Sequence, residues 1–162
     1  MHVGATPLSI TFQHRFSFEA GNWDGGVVEI STNGGATWAD VGAVPSAYNG
    51  STNVLTSAPI GAGRPAFVGR SATWPNFVPA TLNLGTAYAN QNVKLRFRVG
   101  ADDTTGAPGW DIDDISVIGI TDTPFTSLVA EAGVCSPRHG GGHGHGDDDD
   151  DDDDDHDGHH HE

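Results

Sequence analysis

The 162-residue sequence holds one cysteine, one methionine and one lysine. The single thiol, Cys135, excludes a disulfide within the chain, so something other than covalent bridging must staple the fold. The fixed cations are Lys94 and six arginines. They form no basic stripe that could follow a phosphate backbone, which excludes nucleic acid as a partner. No run of 18 apolar residues occurs, which excludes an apolar membrane-spanning helix. Nowhere do ten residues keep a helical period. Catalytic signatures are missing as well: there is no HExxH and no GxSxG, and Cys135 has only tail histidines near it in sequence. The adjacent acids Asp113 and Asp114 would point to opposite faces of a regular strand, whereas hydrolysis needs two acids converging on one bond. The chain therefore reads as a non-enzyme. No signal peptide precedes the first strand pattern, and the start reads as the interior of a longer secreted protein.

What is present is glycine (23 residues), with abundant Thr, Ser and Asn. Gly, Asn and Ser supply turns, while Thr and Val suit strands. The formal net charge of −15 is unevenly placed. Residues 139–162 contain only His, Gly, Asp and one Glu, and carry 11 of the 22 carboxylates. Residues 1–138 hold 11 acids against 7 bases, a net of −4. The expected organisation is a β-domain over 1–122, a linker over 123–138 interrupted by Pro124 and Pro137, and a disordered Asp/His-rich tail over 139–162.

Residues 8–18, LSITFQHRFSF, alternate Ile10, Phe12, His14, Phe16 and Phe18 against Thr11, Gln13, Arg15 and Ser17. That is the period of a half-buried strand, with His14 interrupting its apolar face. Further strands are expected at 26–32, 37–41, 66–69, 77–84, 93–99 and 110–118, with 42–65 a long loop holding one short strand. In 93–99, Leu95, Phe97 and Val99 should face inward and Arg96 and Arg98 outward. Seven or eight short strands joined by turns predict an all-β protein, an antiparallel β-sandwich of jelly-roll type.

Three segments carry chemistry. Residues 31–38, STNGGATW, have the spacing of an Asp-box hairpin, with Asn33 in place of Asp, Gly35 at the turn and Trp38 expected to pack over it as a buried anchor. Residues 109–117, GWDIDDISV, place three carboxylates within four strand positions, and their apolar phase slips at Asp113-Asp114. A β-bulge that aims a carboxylate at an ion accounts for both features, and a solvated edge strand accounts for the charge. Residues 18–29, FEAGNWDGGVVE, end one strand in Glu19 and launch the next after Asp24. Calcium takes six to eight oxygens, and a glycine-bearing loop of this kind offers carboxylates and backbone carbonyls.

The ordered combination of FSFEAGNWDGGVVEISTNGGATW, GRPAFVG and LRFRVGADDTTGAPGWDIDDISVIG resembles the MAM-like jelly-roll modules of secreted bacterial proteins, found beside immune-inhibitor-A-type metallopeptidases. The resemblance spans residues 8–120. It implies a calcium-stabilised sandwich without chemistry of its own, with Glu19, Asp24, Asp113 and Asp114 as candidate calcium ligands. Its expected role is an extracellular binding or adhesion module for a glycan or protein ligand. Trp74, Trp23 and Tyr48 fall in loops and are the candidate aromatics for stacking on a sugar; Trp74 could equally cap one end of the sandwich.

Nine consecutive aspartates occupy residues 147–155 and repel one another. His143, His145, His156, His159, His160 and His161 offer weak sites for transition metals, and the carboxylates attract divalent cations. An alternative function follows, a structural or assembly protein whose tail meets metal ions or mineral surfaces.

Overall fold

The computed structural model describes residues 1–41, 47–55 and 58–124. Their regular elements are all strands: β1 (Leu8–Ser17), β2 (Gly25–Ser31), β3 (Ala39–Asp40), β4 (Gly50–Ser51), β5 (Pro65–Ala66), β6 (Val78–Gly85), β7 (Lys94–Gly100) and β8 (Gly109–Ile118). Two three-stranded antiparallel sheets form, in the orders β6-β1-β8 and β3-β2-β7, and β4 pairs with β5.

The alternation in β1 is realised side chain by side chain. Ile10, Phe12, His14 and Phe16 are buried, and the residues between them are partly exposed. The ladders set Phe12 beside Ala80 of β6 and Phe16 beside Trp110 of β8. From there the first sheet reaches the second: the Phe12 and Phe97 rings meet edge-on at 5.2 Å, and Phe97 meets Trp110 at 5.7 Å. One core thus joins both sheets, with Phe12, Phe67, Leu82, Val28 and Ile30 among its members. Each such side chain contributes about 1.5–3 kcal/mol on burial.

His14 does not break this core. It is 3 % exposed, packed among Phe12, Phe16 and Phe67, and its Nδ1 accepts a hydrogen bond from Trp110 Nε1–H at 3.2 Å. Val99, expected inward, is 49 % exposed and lines a cleft at the end of β7.

Strand β2 is buried along its whole length. Gly26 faces the indole of Trp110, so by alternation Glu29 lies on the opposite face. There it is neutralised rather than solvated. Arg64 Nη2 donates to Glu29 Oε1 at 2.7 Å and to Asp40 Oδ2 at 2.8 Å, and Arg96 Nε donates to Glu29 Oε2 at 2.6 Å. Burial alone would raise the Glu29 pKa, but hydrogen bonds and charge from Arg64 and Arg96 outweigh it and hold the pKa below its ordinary value.

The hairpin between β2 and β3 closes through its side chains. Ser31 Oγ accepts from the N–H groups of Asn33 and Gly35, and Asn33 Oδ1 accepts from Ser31 Oγ and from the N–H of Thr37. Gly34 and Gly35 take φ of 75° and 103°, which glycine adopts without strain. Trp38 is not the buried anchor the spacing suggests. It is half-buried, its Nε1–H donates to Gly35 O at 3.0 Å, and the Arg96 guanidinium lies 4.1 Å from its ring centre.

The phase slip at Asp113-Asp114 is a β-bulge. Thr11 pairs with Ser116 and Gln13 with Asp113, so β8 carries one extra residue, and Asp114 turns to φ 49°.

Candidate metal centre

Strand pairing brings the acids together. Register in the second sheet sets Gly25 opposite Gly100, so Asp24, one residue before β2, meets the segment that leaves β7. The Asp102 N–H donates to Asp24 Oδ1 at 2.9 Å. Glu19 arrives from the end of β1, where the Phe18 N–H donates to Gly69 O at 2.6 Å. The turn between Glu19 and Asp24 uses Gly21 at φ 88° and Asn22 at φ 58°. It is clamped to its neighbour by Asn53 N–H donating to Asn22 O at 2.8 Å and Asn22 Nδ2–H to Ser51 O at 3.2 Å.

The result is a group in which Glu19, Asp24 and Asp102 each offer a carboxylate oxygen, all within 4.8 Å of one another. Glu19 and Asp24 are only 8 % and 4 % exposed. Glu19 Oε1 is buried with no hydrogen-bond partner. Burial, then the Asp102 charge, then the Asp24 charge raise the Glu19 pKa, opposed by a hydrogen bond from Thr105. Asp102 moves the other way, because the N–H and hydroxyl of Thr104 both donate to its Oδ1, at 2.9 and 2.7 Å. A cleft of about 330 Å³ opens over the group, lined by Asp24, Asp102, Asp103, Thr104 and Thr105.

Three mutually repelling carboxylates and an orphaned buried oxygen are the environment that a cation would repair. The donors are all oxygen, with no imidazole or thiolate, which suits a hard cation such as calcium rather than zinc or copper. The three residues could therefore hold a metal ion.

Of the four acids singled out in the sequence, Glu19 and Asp24 enter this group. The third member is Asp102, and Asp113 and Asp114 are not part of it. Both are exposed on β8, where Asp113 Oδ1 accepts the N–H of Asp114 at 2.8 Å. Of the candidate aromatics, Tyr48 is unavailable for stacking. It is 8 % exposed, its hydroxyl accepts from Val28 N–H and donates to Asp40 Oδ1, both at 2.8 Å, and burial raises its pKa. Trp23 and Trp74 are each partly exposed. The tail histidines His143, His145, His156, His159, His160 and His161, with the tail and the linker from residue 125 on, lie outside the described residues. No helix of the described residues is long and apolar enough to cross a membrane.

Compared with protein-family models, curated proteins and solved structures, the chain matches none. The functional reading therefore rests on the geometry.

Proposed function

We propose that this chain is a non-catalytic, calcium-stabilised extracellular binding module built on a β-sandwich of jelly-roll type, similar to the MAM-like modules its motifs resemble. The observation that carries the reading is the buried, unpartnered Glu19 Oε1 beside Asp24 and Asp102. An ion there would satisfy that oxygen and tie three segments together: the end of β1, the start of β2 and the exit of β7. In a chain without disulfides it would act as the missing staple. Two antiparallel sheets sharing one aromatic core support the sandwich. Its role is binding rather than catalysis, because the clustered acids oppose one another around an ion position and the motifs of nucleophilic chemistry are missing.

Melting of the full chain in calcium and in chelator tests the metal. Calcium at 100 times its dissociation constant adds about 2.7 kcal/mol to a fold that binds one ion. The gain disappears in Asp24→Asn, whereas the Asp-rich tail, still intact in that variant, cannot supply it. Identical melting of the unmodified chain in calcium and chelator would remove the reading.

A further inference from the structure

The outer face of the β6-β1-β8 sheet carries side chains that the core does not use. Across its three strands the ladders set Thr81, Thr11 and Ser116 in one row and Pro79, Gln13 and Asp113 in the next. Thr11, Gln13, Thr81 and Ser116 make no side-chain hydrogen bond among the described residues. The strip ends at Arg15, about 13 Å from Thr11 at the strand rise of ~3.3 Å per residue.

Arg15 is fixed there on several sides. Its Nε donates to Asp111 Oδ2 at 2.7 Å and its Nη1 to Pro75 O at 3.1 Å. Its guanidinium lies 4.9 Å from the Phe77 ring centre and 5.6 Å from that of Trp74. Two aromatic rings are thus held beside one cation at the end of a hydroxyl- and amide-bearing strip. Phe77 is 39 % exposed and Trp74 partly so.

We propose that this face binds a neutral polysaccharide, with Trp74 and Phe77 stacking on a sugar ring and Thr11, Gln13 and Thr81 bonding to its hydroxyls. The inference rests on the binding-module reading and gives it a ligand class and a place. Charge selects the ligand. The one cation on the strip is paired with Asp111, and Asp113 is left over, so a polyanion finds no free positive group and meets a carboxylate. A protein partner would need an apolar centre to desolvate, whereas the middle of this face is Thr81, Thr11, Ser116, Gln13 and Asp113, with Pro79 and Ile118 at its margins. A sugar has both an apolar ring face and a hydroxyl edge, and the strip offers a counterpart to each.

Affinity electrophoresis of the full chain through gels holding a neutral β-glucan, a galactomannan or a dextran, with polygalacturonate as the acidic comparison, tests this directly. At least one neutral gel should retard the chain. Trp74→Ala should weaken that retardation about tenfold, as loss of an aromatic anchor does, and Gln13→Ala should weaken it less. Both variants should keep their melting temperature within a few degrees, since neither residue belongs to the core. Absence of retardation in every neutral gel, retardation only by polygalacturonate, or retardation indifferent to Trp74→Ala and Gln13→Ala would each overturn the proposal. Running the gels in calcium and in chelator separates the two readings. Neutral-gel retardation by a chain whose melting ignores calcium supports this face and removes only the metal. Calcium-dependent melting without retardation removes only this face.

Discussion

Trp110 lies so closely over Gly26 that a Cβ at that glycine would overlap its six-membered ring. This one approach joins the two sheets, because Gly26 belongs to β2 and Trp110 to β8. It also explains why position 26 of β2 is a glycine. Gly26→Ala should destabilise by about 1–3 kcal/mol, the usual cost of overpacking. The same change should cost clearly less in a Trp110→Leu background, and urea denaturation of the four proteins in the cycle measures that coupling.

His14 sets an acid limit on stability. Burial lowers its pKa from 6.5 to about 4. Between those values the unfolded chain binds a proton that the fold refuses, so stability falls as pH drops from 6.5 towards 4 and is steady above. The loss is at most about 3 kcal/mol, from 1.36 kcal/mol for each pH unit of the difference. Urea midpoints at pH 7 and pH 4.5 should show it, and His14→Phe should flatten that interval.

Calcium and protons should relieve the same repulsion at Glu19 and so stabilise the fold in the same direction. Its pKa is raised in the metal-free fold, so stability is fullest below its unfolded pKa and is lost as pH rises through the folded one. Glu19→Gln removes that repulsion. In chelator at pH 7 the variant should melt at or above the unmodified chain, and in calcium below it. A variant that melts below in both solutions would show that the carboxylate stabilises by itself.

Arg64 holds two acids at once. Arg64→Ala leaves Glu29, 4 % exposed, with Arg96 as its close partner and Arg98 at 4.0 Å. The expected cost is about 3 kcal/mol, at the lower end for breaking a buried pair, because Arg96 remains. The difference between the two proteins should narrow as pH falls below the ordinary Glu value, because the interaction that Arg64 supplies is lost once Glu29 is protonated. Thermal melts at pH 7 and pH 4 check both statements.

Much of the strand pattern is legible in the sequence because alternation is a local property. The run from Ile10 to Phe16 shows its buried face without knowledge of its neighbours. The Ser31–Asn33–Thr37 hairpin is legible for the same reason, since every bond that closes it spans at most four residues. The metal group is only half legible. Glu19 and Asp24 flank one short loop, but Asp102 joins them through the Gly25–Gly100 pairing, a contact across 75 residues that no local pattern encodes. Tyr48 reads as an exposed loop aromatic because nothing nearby in sequence shows that Val28 and Asp40 receive its hydroxyl. Trp38 misleads in the other direction: its partner is a guanidinium on β7 rather than the core.

The bulge in β8 has a consequence for how molecules meet. Among the described residues β8 is one of the two edge strands of its sheet, ten residues long, with Ile115 51 % and Ile118 63 % exposed. Beside it runs an apolar cleft of about 710 Å³, lined by Leu95, Phe97, Ile115 and Val117. A straight strand with those side chains would be a template on which another chain could crystallise as an added strand. Asp114, turned into the left-handed region, breaks the run of outward N–H and C=O groups, and three carboxylates within four residues repel an identical edge. The turned backbone at Asp114 and the carboxylates around it thus make this edge a poor template for strand addition.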